Sequence, residues 1–194
     1  MSLDRYHHGD LRAALIAATR RLLLEHDPET LSLRQAAREV GVSANAPYRH
    51  FADKDALMAA VAAEGFRSLT EEFRQTATAP SGRKRLEAIG VEYCRFVDKE
   101  PSLLRVMFGP RLRAVAQHPM LDESEREAFA ELVFALEETT DGAEPERAIR
   151  TAVGIWSLIH GFATLRADGA LAFLDKWMLP SPSELVRALR RGAA

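Results

Sequence analysis

The sequence predicts an all-α protein in which a small helical head is joined by a long helix to a larger helical domain. Alternating apolar patterns and β-branched runs are scarce, whereas Ala, Leu, Arg and Glu recur at helical spacing along the 194 residues. Apolar residues make up 47% of the chain, which is enough for a well-packed core. Residues 76–82 have the Thr, Ala, Pro, Ser and Gly composition of a linker, so the helices fall into two groups.

The first group of helices has the organisation of a helix-turn-helix. Apolar residues at helical spacing predict a first helix over residues 11–22, with Asp10 as its N-cap. Ser32 can cap a short second helix, and Gly41 allows the left-handed backbone that ends it. A third helix is expected over residues 43–51. Such an arrangement places the last of these helices in the major groove of DNA.

A long fourth helix connects the head to the rest of the chain. Asp53 is expected to cap this helix, which begins at Lys54 and fades at residues 76–82. Its first turn belongs with the helix-turn-helix, and the remainder can pack on the helices that follow. We therefore expect a DNA-binding domain over residues 1–55 and an effector-binding and dimerisation domain over residues 56–194.

The second domain is expected to consist of further amphipathic helices. Their apolar spacing and their Pro, Asp and Gly boundaries place them at residues 83–99, from 101, from 122, at 145–167, at 171–179 and at 184–191.

The helix over residues 145–167 has two apolar sides, and each side needs a cover. One cover can be the core of the subunit and the other a second copy of the chain. Gly154, Ser157 and Gly161 form a strip of small residues that could let another helix approach closely. The residues that we expect at the subunit interface are Ile155, Leu158, Ile159 and Phe162. The alternative is a central helix in the core of a large monomer.

Charge and cysteine content limit the classes of function. The net charge of −2 and the pI of about 6.3 disfavour binding to nucleic acid by bulk charge. Residues 34–54 nevertheless carry a local charge of +2, from Arg34, Arg38, Arg49 and Lys54 against Glu39 and Asp53. The single cysteine, Cys94, excludes an internal disulfide and a multi-cysteine metal site. No apolar run approaches the ~18 residues of a membrane span, and the N-terminus does not resemble a signal peptide. We expect a cytoplasmic protein with no cofactor, metal or membrane partner.

The helix-turn-helix contains side chains that are suited to DNA. Asn45 can make bidentate contacts with adenine, and Ala44 could touch a thymine methyl group. Arg34 could reach a guanine or a phosphate. Three further side chains suit phosphate contacts: Tyr48, His50 and Lys54. Structural alternatives remain open, since Asn45 could cap a helix, Tyr48 could belong to the core, and Arg34 and Lys54 could be solvated surface charges.

Residues 6–57 resemble the DNA-binding domain of TetR-family transcriptional regulators. The resemblance lies in LSLRQAAREVGVS at 31–43 and APYRHFADKDAL at 46–57, with the family's spacing of Gly-Val-Ser, Tyr, His-Phe and Lys. The segment WSLIHG at 156–161 resembles the Trp-His-Gly type of C-terminal domain in one branch of the family.

This resemblance implies a homodimer that binds palindromic double-stranded DNA, represses transcription, and releases the DNA when a small molecule enters the C-terminal domain. By position, the base-facing residues would be Arg34, Ser43, Ala44 and Asn45. The backbone-facing residues would be Ala46, Tyr48, His50 and Lys54, with Ser32 capping a helix or touching a phosphate. Two departures from the family pattern are Ala46, where a small hydroxyl residue is common, and Pro47, where an aliphatic residue is common.

An effector cavity between the C-terminal helices would be mostly apolar with a few polar groups. The residues whose spacing suits such a cavity are Tyr93, Met107, Phe108, Phe129, Trp156 and His160. Each aromatic residue could instead fill the core, and His160 could be a hydrogen-bonded core histidine.

Two other kinds of function compete with a regulator. Cys94 with His118 or His160 could form a nucleophile and base, although no surrounding motif supports an enzyme. A helical interaction module that does not bind DNA would lack phosphate-binding residues at the turn, and these residues are present. The adjacent His7 and His8 would point in different directions, which disfavours a metal site.

Overall fold

The computed structural model describes residues 11–114, 118–139 and 145–192, and within these ranges it contains helices and no strand. The α-helices are α1 (Leu11–Leu22), α2 (Leu33–Val40), α3 (Lys54–Gln75), α4 (Gly82–Lys99), α5 (Pro101–Phe108), α6 (Pro110–Ala114), α7 (Pro119–Glu137), α8 (Pro145–Ala167) and α9 (Pro182–Gly192). Short 3-10 helices occupy Pro28–Thr30, Ala46–Arg49, Thr76–Thr78 and Lys176–Met178. The all-α prediction is confirmed. The expected Asp10 cap and the His7–His8 pair lie outside the described residues.

The chain forms two compact units. The first comprises Met1–Gly65 and Ser102–Asp122, and the second comprises Phe66–Pro101 and Glu123–Ala194. The first unit extends beyond the expected boundary at residue 55. The whole first half of α3, and not its first turn alone, belongs to the core of this unit. Its residues from Leu57 to Ala63 are buried, and a Cβ atom at Gly65 would lie 2.7 Å from the sulfur of Met107.

The expected third helix over residues 43–51 is much shorter in the structure. Only Ala46–Arg49 is helical, and it is a single turn of 3-10 helix. Pro47 fits the first turn of this helix, but Asn45 at its N-terminus provides no side-chain cap. The expected helix over 171–179 is likewise limited to the 3-10 turn Lys176–Met178.

Helix α4 is the centre of the second unit, where it packs against α8 and α9. Gly90 allows this close packing, because a Cβ atom there would lie 3.1 Å from Val186 of α9. Buried charges add to the apolar core. The guanidinium of Arg85 donates to Glu131 at 2.8 Å and to Glu138 at 3.0 Å, which connects α4 to α7.

The apolar residues of α8 do not divide between its two sides as expected. The buried stripe consists of Ala148, Ala152, Ile155, Ile159 and Ala163. Ile155 and Ile159 are 3% exposed and face the core, so they cannot supply interface area, and their assignment to the interface is wrong. The expectation failed because both sides of this helix are apolar.

By length and composition α8 could cross a membrane, but its buried stripe makes it a core helix of the second unit.

Candidate nucleic-acid interface

Two caps fix the helix that precedes the turn. Ser32 Oγ accepts a hydrogen bond from the Gln35 backbone N–H at 3.3 Å and donates to the Gln35 side chain at 2.8 Å. At the other end Gly41 has a φ of +78°, and the N–H groups of Gly41 and Val42 donate to carbonyl groups in the last turn of α2. Ser32 therefore acts as the expected cap, and the chain turns at a defined angle into the next segment.

The three residues after the turn present their side chains to solvent. Ser43, Ala44 and Asn45 are exposed, and the Ser43 carbonyl accepts a hydrogen bond from the N–H of Ala46 at 3.0 Å. The Asn45 side chain makes no cap hydrogen bond, so Asn45 does not act as the side-chain cap of this helix. Its amide is available to read a base edge.

The short 3-10 helix separates packing residues from polar residues. Pro47 is buried and Phe51 is 3% exposed, so the proline takes the packing role of the aliphatic residue that is common at this position. Tyr48 points outward with 50% of its surface exposed and is not a core aromatic. His50 is half-buried, and Ala46 is partly exposed without a polar side chain.

Lys54 lies at the N-terminus of α3, as expected. The Asp53 carboxylate accepts a hydrogen bond from the backbone N–H of Ala56 at 2.8 Å and thereby caps this helix. The Lys54 ammonium donates to the carbonyl oxygen of Glu29 at 2.7 Å. Since an ammonium has three donors, two remain for a phosphate.

Sequence reasoning missed the residues that surround Lys54. Arg111 donates to Asp55 at 2.6 Å and to the carboxylate of Glu29 at 3.3 Å. These contacts join α6 to the start of α3 and to the segment before α2, all within the first unit. No local pattern indicates them, because Arg111 is far from both partners in sequence.

The acidic residues near the turn have partners within the protein. Glu39 pairs with Arg21 at 3.5 Å, and the Asp53 carboxylate caps α3. Both acidic residues of the local count are thus engaged within the protein. Arg34, Arg38 and Arg49 are exposed, which leaves several positive charges around the turn for the DNA backbone.

In the second unit, four of the expected effector residues form one aromatic cluster. Phe129 of α7 lies 5.7 Å from Trp156, whose ring centre lies 6.5 Å from that of His160. The Tyr93 hydroxyl and His160 Nδ1 are 2.6 Å apart. Because the Trp156 N–H can only donate and hydrogen-bonds to Tyr93, the Tyr93 O–H donates to Nδ1 of a neutral His160. Burial raises the pKa of Tyr93 and lowers that of His160, so both groups are uncharged at neutral pH.

The other two expected effector residues lie in the first unit. Met107 is buried against Gly65, so its packing role is evident, and Phe108 is half-buried. Leu158 and Phe162, the remaining expected interface residues, are partly exposed on α8.

Cys94 is unsuited to the nucleophilic role. It is buried, and this burial raises the pKa of its thiol to about 11, so the reactive thiolate is scarce at neutral pH. His160, its possible base, is engaged with Tyr93. Among the described residues no group of His, Cys, Asp and Glu could hold a metal ion.

Comparison with known proteins identifies the same protein family for the N-terminal and the C-terminal parts of the chain. A family model described as bacterial regulatory proteins, tetR family, matches residues 15–61, and one described as tetracyclin repressor-like, C-terminal domain, matches residues 86–190. Uncharacterized HTH-type transcriptional regulators of Mycobacterium bovis and Mycobacterium tuberculosis are 28% identical over 184 residues, which cover 86% of this chain and 85% of theirs.

Solved structures share the fold over nearly the whole chain. A protein of unknown function from Rhodococcus sp. RHA1 is 32% identical, with a TM-score of 0.78 over 97% of this chain and 98% of its own. A tetR-family transcriptional regulator from Streptomyces coelicolor has a TM-score of 0.72 at 19% identity, over 95% of this chain and 81% of its own. The C-terminal family model alone spans more than half of the sequence. Together with the capped helix-turn-helix, these matches show that the chain belongs to the TetR family of DNA-binding transcriptional regulators.

Proposed function

We propose that this transcriptional regulator is a repressor that binds a palindromic operator as a homodimer in the cytoplasm. A small, largely hydrophobic molecule releases it from the operator by binding among the C-terminal helices. The single observation that carries the DNA-binding part is the exposed surface after Gly41, where Asn45 and Tyr48 face solvent and Pro47 and Phe51 anchor the backbone beneath them.

The surface separates into residues that would read bases and residues that would grip the backbone. Arg34, Ser43, Ala44 and Asn45 supply the base-reading side chains. Tyr48, His50 and Lys54 supply donors for phosphates, while Ala46 can only make van der Waals contact with the backbone. Ser32 holds the start of α2. A homodimer is typical of the family, and one helix-turn-helix reads half of a palindrome.

The dimer interface is proposed on the side of α8 opposite its buried stripe. Val153 and Leu165 are exposed there, and the partly exposed Leu158 lies beside Leu165. A Cβ atom at Gly161 would meet nothing within 4 Å, so this side of α8 has room for a second helix.

The proposed effector site is the aromatic cluster of the second unit. Phe129 and Trp156 offer apolar faces, and the pair of Tyr93 and His160 offers an uncharged polar group. These groups favour a molecule that is mainly apolar and carries a hydrogen-bonding function rather than a full charge.

Fluorescence anisotropy with the DNA immediately upstream of the protein's own gene tests this function. We expect Asn45→Ala to change which operator variants are preferred, with a loss of about 1–3 kcal/mol at one base position. Lys54→Ala should weaken binding to all sequences and reduce the salt slope by about one. Arg83→Ala, which removes an exposed positive charge from α4, is the matched control and should leave binding unchanged.

The same assay in the presence of a series of straight-chain alcohols and ketones tests the effector site. Release of the wild-type protein, and loss of this response in Trp156→Ala, are the expected results.

Operator binding that is unaffected by both Asn45→Ala and Lys54→Ala would contradict the DNA assignment.

A further inference from the structure

The segment between α8 and α9, residues 169–179, is anchored at both ends, and we name it the strap. At its start Gly169 has a φ of +73°, and the N–H of Ala170 donates to the Leu165 carbonyl at 2.9 Å. Just beyond its end Ser181 donates to the Glu184 carboxylate at 2.7 Å from its N–H and at 2.8 Å from its hydroxyl. Turn hydrogen bonds and the 3-10 helix Lys176–Met178 organise the backbone between these anchors.

This organised strap directs large aromatic side chains into solvent. Phe173 is 80% exposed and Trp177 is 79% exposed, whereas Leu171 and Leu174 are partly buried. Among the described residues, ten large apolar side chains are exposed, and six of them lie between positions 149 and 178. The exposed apolar residues are therefore most frequent in α8 and the strap, and the two exposed aromatic residues of the strap mark a candidate interaction site.

We infer that the strap packs against a second copy of this chain, with Phe173 and Trp177 as the anchors that complete the interface begun by α8. The inference rests on the proposed homodimer and adds to it a second contact region, which is separate from the face of α8.

The area that a stable dimer needs supports a second copy of the chain as the partner of the strap. One subunit contributes ~800 Å² to an interface of standard size. The exposed side of α8 is narrow, with Ser157 and Gly161 at its centre, so it offers little apolar area by itself. Aromatic side chains bury about 150–250 Å² each, and Phe173 with Trp177 would supply about 300–500 Å². The strap therefore adds apolar area that the exposed side of α8 lacks.

The charges of the strap also favour a copy of itself over other partners. Its ionisable residues are Asp175 and Lys176, which are adjacent and of opposite sign. In a two-fold interface such a pair is self-complementary, because each residue can meet the other on the partner. A strap with no net charge has no electrostatic attraction to an anionic membrane or to nucleic acid.

The fluorescence of Trp177 tests the inference directly. The chain has two tryptophans, so Trp156→Phe leaves Trp177 as the only indole. We expect its emission to shift to the blue and its quenching by acrylamide to fall as the protein concentration rises through the dimer transition seen by sedimentation. A dimer in which Trp177 stays fully quenchable overturns the strap contact and leaves the proposed homodimer intact. A blue shift that requires anionic phosphatidylserine vesicles and not concentration also overturns it, whereas a wild-type protein that is always monomeric overturns both.

Paired variants measure the contribution of the strap. The double variant Phe173→Ser with Trp177→Ser should raise the dissociation constant of the dimer about a hundredfold, since each anchor of this kind is worth about tenfold. Phe134→Ser is the matched control, because Phe134 is an exposed phenylalanine of α7 in the same unit. The inference is contradicted if the double variant and Phe134→Ser raise the dissociation constant by the same small factor. It is also contradicted if the dissociation constant of the double variant is unchanged.

Discussion

His160 is kept neutral by its position beside Tyr93 and Trp156. Its Nδ1 atom accepts the Tyr93 hydroxyl hydrogen bond at 2.6 Å, and burial lowers its pKa from the ordinary value of 6.5. In the unfolded chain the same imidazole takes up a proton as the pH falls through about 6.5. The unfolded state then binds more protons than the folded state, so folding stability is lost on acidification.

We therefore predict that His160 contributes to acid sensitivity. Stability should be full above about pH 6.5 and decline below it, until the pH reaches the lowered pKa of the folded state. His160→Gln should lose less stability than the wild type between about pH 7.5 and about pH 5. Urea unfolding at the two pH values measures the difference. His26→Gln, at an exposed histidine, is the control, and an identical acid loss in His160→Gln and the wild type would refute the prediction.

At the scale of an element, the helix caps show what local sequence determines. Ser32, Gly41 and Asp53 act as expected because a cap depends on a few adjacent residues. Pro47 is also a local signal, because a proline is accommodated in the first turn of a helix. The caps that bound these helices could therefore be predicted closely from the sequence.

Elements whose role depends on distant neighbours could not be predicted in the same way. Periodicity shows that α8 has two apolar sides, but it does not say which side packs on α4, so it does not reveal that Ile155 and Ile159 are buried. Met107 belongs to the first unit because Gly65 leaves room for it, and Arg111 meets Asp55 across a long stretch of chain. Such contacts are set by packing in three dimensions.

The ion pairs between α4 and α7 give a prediction at this scale. The Arg85 side chain is 8% exposed, and Glu131, at 11%, accepts its hydrogen bond at 2.8 Å. Removing Glu131 leaves the buried Arg85 guanidinium with the half-exposed Glu138 as its partner, so Glu131→Leu should cost about 1–3 kcal/mol of stability. Adding Arg85→Met should restore most of this loss, because a fully apolar pair buries no charge.

Urea unfolding of the two single variants and the double variant measures this coupling as a cycle. The exposed pair of Glu146 and Arg150 on α8 serves as the control, and its removal should change stability by less than about 1 kcal/mol. A double variant as unstable as Glu131→Leu alone would show that the cost comes from lost packing.

At the scale of the whole molecule, the proposed dimer surface and the proposed DNA surface lie in different units. The reading segment and Lys54 belong to the first unit, whereas α8 and the strap belong to the second. The proposed dimer interface can therefore be changed by substitution without touching a residue of the proposed DNA surface. Loss of operator binding in a monomeric variant would then report the need for two half-site contacts.

Gly161 provides the decisive variant, because its two expected effects have opposite signs. A side chain at this position meets open space in the subunit, and replacing glycine within a helix stabilises it by up to about 1 kcal/mol. Gly161→Leu should therefore stabilise the isolated subunit while its side chain keeps a partner helix away from α8. We expect a dissociation constant at least about tenfold higher by sedimentation, since a forced separation of packed helices costs more than about 1.4 kcal/mol. Glu137→Leu, which adds an exposed leucine to α7, should leave the dimer unchanged. A dimer as tight as the wild type in Gly161→Leu would move the interface away from this side of α8.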